Sequence, residues 1–277
     1  MSKTVNLRGY FERIGFAGSI APTLSTLDLL HALHPAAIPF ENLDSLLGRP
    51  VSLELQDIER KLIGERRGGY CFEHNLLFMA VLRELDFTVR GLAARVLWNA
   101  PWGTEPRPTH MLLAVDIGGA IYIADPGFSG FALTTPLKLK AESEQKTPHE
   151  TFRLMGGDPD WQLEVKLDDA WKPLYSFDLT EHGPGDYDAA NAFVGNDPSS
   201  PSTTELRVAL APTGKRLKLK DNRFTTYPEG QPAQTRLLGS VAELREVLAG
   251  RFGITLPDDA RLEGKLEAII ARHAVEP

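Results

Sequence analysis

The sequence predicts an α+β protein in three parts: a helical stretch over residues 1–86, an all-β stretch over 87–200, and a mixed sheet-and-helix stretch over 201–277. Three observations carry this. Apolar residues recur at helical spacing as far as Leu85, they alternate with polar ones from about Phe87, and helical spacing returns after Ser240. The composition, 42% hydrophobic and 24% charged over 277 residues, is that of an ordinary globular chain long enough for a large core.

The helical part opens with apolar positions over residues 5–14. Ser25 and Thr26 are candidate caps for a helix through Leu-Asp-Leu-Leu-His-Ala-Leu-His, which must end near Pro35. Residues 56–64 form a third helix. Gly68-Gly69 then breaks the chain, and a strongly apolar helix runs from Cys71 to about Leu85, with Phe72, Leu76, Met79, Ala80 and Leu82 as its buried face.

In the second part, short alternating runs lie between Gly, Pro and Asp turns, among them RGLAARVLW, HMLLAVDI, AIYIAD, WQLEVKL and KPLYSFDL. Their number and spacing point to a barrel or a sandwich. Residues 191–204 are polar and turn-rich and read as a linker. The third part alternates again through ELRVAL, KRLKL, NRFTTY and TRLLG. Two helices close it, one starting at Ser240 with Glu243 three residues on, the other carrying Leu262, Leu266, Ile269 and Ile270 on one stripe.

Net charge is −7, which argues against broad nucleic-acid binding. No apolar run approaches the ~20 residues that span a bilayer, and the first residues are polar with no apolar core of a secretory signal. The expected location is the cytoplasm, where the single cysteine, Cys71, stays a reduced thiol.

A lone cysteine is most simply a small buried hydrophobe. Its neighbours argue for more. Behind Gly68-Gly69, Cys71 falls in the first turn of a helix, where unpaired backbone N–H groups and the helix dipole stabilise thiolate, the reactive form. The same N–H groups suit an oxyanion. Further on, Gly118-Gly119 makes a two-residue hairpin turn. In that register Ile117 faces Ala120 and Leu112 faces Asp125. His110 shares a face with Leu112, so Asp125 lies diagonally across from His110, roughly 7–8 Å away at the backbone. Thiol, imidazole and carboxylate together follow triad logic, as in papain-like enzymes.

Arg67-Gly68-Gly69-Tyr70-Cys71-Phe72-Glu73-His74-Asn75 closely resembles the R-G-G-x-C-x-E-x-N motif of the arylamine N-acetyltransferase family. Ile38-Pro39-Phe40-Glu41-Asn42-Leu43 resembles its P-F-E-N-L element. Thr109-His110-Met111 and Asp125-Pro126-Gly127-Phe128 are similar to its H-x-x-L and D-x-G-F elements, and Pro198-Ser199-Ser200-Pro201 and Asp221-Asn222-Arg223 to later landmarks. The resemblance runs along essentially the whole chain. It implies a helical bundle, a β-barrel and an α/β lid around a cysteine-protease-like catalytic core. It also implies ping-pong transfer from acetyl-CoA through an acetyl-Cys71 to an arylamine, arylhydrazine or N-arylhydroxylamine. By the same resemblance His110 relays protons and Asp125 orients it. Phe40, Thr109, Gly127 and Phe128 contact substrate, and Glu41 and Arg67 pair beneath the site. Acetyl-CoA is then a co-substrate, with no metal and no tightly bound cofactor. Ser202 and Asn196 depart from the family pattern, which more often has a bulky apolar residue and a histidine there. They bear on the choice of acceptor.

Other readings of the same residues are a Cys-His-Asp hydrolase of papain or transglutaminase type, an amide synthase closing a macrolactam, and a non-catalytic binding module. His31 with His34, and Cys71 with His74, have helical i, i+3 spacing but lack the further ligands zinc needs. Arg216, Lys218 and Lys220 alternate with Leu217 and Leu219. The expectation is a solvated strand face guarding an edge, in preference to a site for CoA phosphates.

Overall fold

The computed structural model describes residues 5–100 and 106–273. Helices α1 (Leu7–Ile14), α2 (Leu24–Ala37), the one-turn α3 (Leu43–Leu46), α4 (Leu55–Glu59, prolonged by a π turn over Arg60–Gly64) and α5 (Cys71–Glu84) make up the first part. Thr23, not Ser25 or Thr26, caps α2, its hydroxyl accepting the Thr26 N–H at 3.3 Å. The helix ends at Ala37, near Pro35 as expected, with the proline inside the last turn and Ile38 N–H still bonded to the His34 carbonyl. So near the end of a helix, proline removes one ladder bond and the rest survive.

α5 is buried almost all round. Leu77, Phe78, Val81 and Leu82 enter the first core with Phe72, while Leu76, Met79 and Ala80, expected inside, are only half-buried. The expected stripe was therefore misplaced, because a helix flanked on several sides has no single polar face for periodicity to find.

Eight antiparallel strands follow: β2 (Thr88–Val96), β3 (Pro108–Ile117), β4 (Ala120–Ala124), β5 (Leu137–Lys138), β6 (Gln145–Lys146), β7 (Thr151–Gly157), β8 (Asp160–Leu167) and β9 (Ala170–Phe177). Their order is β5-β4-β3-β2-β9-β8-β7-β6. The sheet curls until its two ends meet, and the Gln145 side-chain amide bridges them, donating to the Lys138 carbonyl at 2.9 Å and accepting its N–H at 2.8 Å. The barrel is thus nearly closed. Alternation on β3 sorts its side chains as a half-buried strand requires. Met111, Leu113 and Val115 face the helical core, whereas Leu112 and Ala114 fill the barrel.

Residues 191–204 are not a linker. Helix α6 spans Pro184–Asn196 and α7 spans Pro201–Thr204. Pro184 sits at the first helical position, and the Asp186 carboxylate accepts the Gly183 N–H at 3.0 Å. The polar composition belongs to the solvated face of α6, whose Tyr187 is buried against Gly91.

The last part is a five-stranded sheet, β1-β10-β11-β12-β13, built from β1 (Phe40–Glu41), β10 (Arg207–Leu210), β11 (Lys215–Lys220), β12 (Arg223–Pro228) and β13 (Gln234–Leu237). It packs on α8 (Val241–Glu246, with a π turn over Val247–Arg251) and α9 (Arg261–His273). Ser240 caps α8 and accepts the Glu243 N–H, but the Glu243 carboxylate takes the Gly239 N–H, so only half a capping box forms. Leu262, Leu266 and Ile269 are buried as expected, and Ile270 packs at the margin.

The expected solvated face of β11 is overturned. β11 is an inner strand, and Arg216 is only 2% exposed. Its guanidinium donates twice to Glu150, at 2.6 and 2.8 Å, and once to the Ala132 carbonyl. The Lys218 ammonium lies 3.6 Å from the centre of the Phe131 ring, and burial pulls its pKa down to about 7. Lys220 alone is exposed. This cationic face therefore joins the sheet to the barrel.

Candidate functional site

Cys71 is the first residue of α5 and is 8% exposed. The Glu73 carboxylate accepts the Tyr70 N–H at 3.0 Å and so tightens the turn on which the thiol sits. The two preceding glycines are needed for space rather than for a left-handed backbone. A Cβ on Gly68 would stand 2.0 Å from the Pro39 carbonyl oxygen, and one on Gly69 2.7 Å from Glu73. Neither residue has a positive φ. The segment from Pro39 to Glu41 lies directly on the turn, with Gly69 N–H donating to Pro39 O at 3.3 Å and Glu41 N–H to Gly69 O at 2.8 Å.

His110 and Asp125 come together as hairpin parity requires. The Gly118-Gly119 turn sets Ile117 opposite Ala120 and Leu113 opposite Ala124, and Asp125 leaves the ladder one residue later. His110 Nε2 donates to Asp125 Oδ2 at 2.7 Å, with both side chains buried. The second ring nitrogen, Nδ1, is then the one left for Cys71, which lies within hydrogen-bonding reach of the imidazole. Burial alone would lower the imidazole pKa. The Asp125 carboxylate beside it outweighs burial and holds it well up, near 10, with Cys71 adding in the same direction. Phe128 and Tyr175 wall the ring at 4.9 and 5.2 Å between centroids.

The other Asp125 oxygen accepts from Asn75 Nδ2 at 3.0 Å and from Gly127 N–H at 3.2 Å. Asn75 also donates to the Met111 carbonyl at 2.7 Å, so this side chain on α5 stitches the helix of Cys71 to the segments that carry His110 and Asp125. Sequence reasoning quoted Asn75 only as a letter in a motif. Its signal was its position four residues after Cys71, one helical turn along and on the same face.

Gly127 packs on Cys71 itself: an added Cβ would lie 2.9 Å from the Cys71 carbonyl oxygen. Thr109 turns its carbonyl toward the sulfur, 3.9 Å away. Phe128 is buried against the barrel core, and Phe40 is half-buried with its backbone bridged to Gly69. Asn196 is exposed and bonds its own helix, and the Ser202 carbonyl accepts from Asn42 Nδ2 at 2.8 Å.

Glu41 and Arg67 do more than form a pair. Arg67 donates to Glu41 at 2.7 and 2.9 Å and approaches Asp44 at 3.3 Å. Lys61 bridges Asp44 and Glu73, both at 2.7 Å. Burial opposes charge on Lys61, but Glu73, Glu41 and Asp44 outweigh it and hold the ammonium charged. A cavity of about 140 Å³ opens among Asp44, Lys61, Arg67 and Glu73, and no triad residue lines it.

Residues 23–261 match the family model described as N-acetyltransferase. The arylamine N-acetyltransferase of Escherichia coli K12 is 41% identical over 92% of this chain and 90% of its own length. The chain belongs to the arylamine N-acetyltransferase family. The family member from Salmonella typhimurium, named also as an N-hydroxyarylamine O-acetyltransferase, is 38% identical over 98% of this chain and 97% of its own. The solved structure of the Mycobacterium marinum arylamine N-acetyltransferase in complex with CoA superposes with a TM-score of 0.91 at 36% identity, covering 95% of this chain and 99% of that one. Members of the family are acyltransferases, and this chain is one by descent. Among the described residues no group of three or more His, Cys, Asp or Glu is placed to hold a metal ion, and no helix is long and apolar enough to cross a membrane.

Proposed function

We propose that this enzyme moves an acetyl group from acetyl-CoA to an arylamine, arylhydrazine or N-arylhydroxylamine, with Cys71, His110 and Asp125 as a cysteine-protease-like triad. The observation that carries the reading is the buried 2.7 Å His110–Asp125 bond beside a thiol at a helix N-terminus. A raised imidazole pKa favours the thiolate–imidazolium pair. The thiolate attacks the thioester carbonyl, the bond from carbonyl carbon to CoA sulfur breaks, and the His110 proton goes to the departing CoA thiolate. The acceptor nitrogen then attacks acetyl-Cys71 and gives its proton to His110. The acetyl–sulfur bond breaks, and the ion pair is restored. The unpaired N–H groups of the first turn of α5 are suited to the tetrahedral oxyanion.

Phe40, Phe128, Thr109 and Gly127 form the wall against which acceptor and acetyl group lie, and Ser202 and Asn196 tune the acceptor from further out. Glu41 and Arg67 support the site from beneath. The working parts are residues 1–86, 87–200 and 201–277, with residues 40–47 serving the third. Acetyl-CoA and a small aromatic amine or hydrazine are the partners, in a cytoplasmic setting. Incubation with acetyl-CoA should add one acetyl mass to Cys71, and Cys71→Ser should lose transfer. An unmodified protein, with normal turnover in Cys71→Ser, overturns the reading.

A further inference from the structure

Four buried side chains that the reaction does not touch lie on α1, α2 and α5, three of them joined in a hydrogen-bonded chain and His31 beside it. Tyr10, His31, His34 and His74 are each 0% exposed. Tyr10 Oη lies 2.9 Å from His34 Nδ1, His34 Nε2 lies 2.8 Å from His74 Nδ1, and His74 Nε2 lies 3.1 Å from the Pro39 carbonyl oxygen. A carbonyl only accepts, so His74 Nε2 carries a proton and Nδ1 does not. His34 must then donate from Nε2 and accept at Nδ1 from the Tyr10 hydroxyl. With both rings neutral, every tautomer in the chain follows from that one carbonyl, and a second proton would require the Tyr10 hydroxyl to turn from donor to acceptor.

One turn earlier on α2, His31 Nε2 accepts the backbone N–H of Asp125 at 3.0 Å, so its own proton sits on Nδ1. This bond falls where the β3–β4 ladder stops. Ala124 is the last residue paired in that ladder; beyond it the Asp125 carbonyl accepts the Leu133 N–H at 2.9 Å, and the Asp125 N–H is left to His31. The Pro39 carbonyl at the other end also accepts Gly69 N–H and supports the turn that carries Cys71. Thus one helix, through two histidines at i and i+3, holds the acid of the triad on one side and the footing of the nucleophile on the other.

We propose that His31 and His34 are positioning residues that set barrel acid and helical nucleophile at working distance, His31 through the Asp125 backbone and His34 through His74 and Pro39. The inference rests on the triad reading above. It assigns a task to a pair whose spacing otherwise suggests a metal motif.

Two experiments test it. In the intact enzyme labelled with nitrogen-15 histidine, ring shifts at neutral pH should report the proton on Nδ1 of His31 and on Nε2 of His34 and of His74. An opposite tautomer or an imidazolium at any of the three overturns the proposal. In the second, His31→Gln keeps an acceptor near the Nε2 position and His31→Leu does not. With both variants folded by circular dichroism, iodoacetamide alkylation of Cys71 and single-turnover acetylation are followed against pH. His31→Leu should react on the order of 10²-fold more slowly at neutral pH, the cost of a misplacement near 1 Å. His31→Gln should stay within about threefold of the parent. Equal behaviour of Leu and parent, or equal damage in Leu and Gln, overturns it. If Cys71→Ser retains transfer, the triad reading fails instead, and the tautomer experiment still judges the chain on its own terms.

Discussion

Two polar networks are buried in the first part of the molecule, and they are held together by opposite rules. The first, Glu41, Asp44, Lys61, Arg67 and Glu73, is charged throughout, and each charge is tolerated because another of opposite sign lies about 3 Å away. The second, Tyr10, His34 and His74, is a chain of neutral groups that burial keeps from taking up protons. Both end on the same turn, the first at Glu73 and Arg67, the second at Pro39. Two supports that fail under different conditions therefore hold Cys71. Charge fixes position strongly but is costly to break, whereas a neutral chain costs less to bury and is sensitive to protons.

The largest expected effect comes from breaking the charged network on one side. Arg67→Met leaves the buried Glu41 without its cation, while Asp44 keeps Lys61, and should cost about 3–5 kcal/mol in urea unfolding. A loss under about 1 kcal/mol would mean that water reaches the network. The neutral chain should answer to acid instead. Burial lowers the proton affinity of His31 and His74 to pKa values of about 4, and burial together with His74, His31 and Arg13 holds His34 well below the ordinary histidine range. The unfolded chain, with ordinary histidines near 6.5, therefore takes up protons first. This contribution is complete above about pH 6.5 and falls as pH drops toward 4, reaching roughly 3 kcal/mol for each of His31 and His74 when protonation is complete. Unfolding measured from pH 7 to 4 should show that slope, and a flat profile would show the rings already charged.

Gly127→Ala leaves both networks intact and pushes the barrel loop off the Cys71 carbonyl. We expect activity to fall about 10²-fold, some 2.7 kcal/mol in barrier, with little change in melting temperature. Smallest is the exposed pair of Arg8 and Glu12, with side chains 89% and 67% exposed. Arg8→Ala should change stability by no more than about 0.5 kcal/mol, which sets the scale for what a charge pair contributes once water surrounds it.

Much of this was legible in the sequence because it obeys local rules. Hairpin parity placed Asp125 beside His110, and the glycine pair placed Cys71 at a helix start. The missed features depend on what packs from outside the segment. Arg216 alternates like any surface cation, and only its partners Glu150 and Ala132, at the barrel, bury it. The polar face of α6 resembles a loop until Tyr187 is seen seated on Gly91. His31 and His34 offered the spacing of metal ligands, and nothing local told that spacing from a hydrogen-bond chain whose last member lies on another helix.

The two-residue strand β1 has neighbours on both sides. Phe40 stands opposite Ala209 in the five-stranded sheet and is bridged to Gly69 on the other side, at the turn before Cys71. The five-stranded sheet and the turn that holds the sulfur are thus joined through one short strand. Strain applied to that sheet is carried through Phe40 to the backbone before Cys71, and amide protons at Ala209 and Gly69 should exchange as one cooperative unit, slowing together when CoA binds.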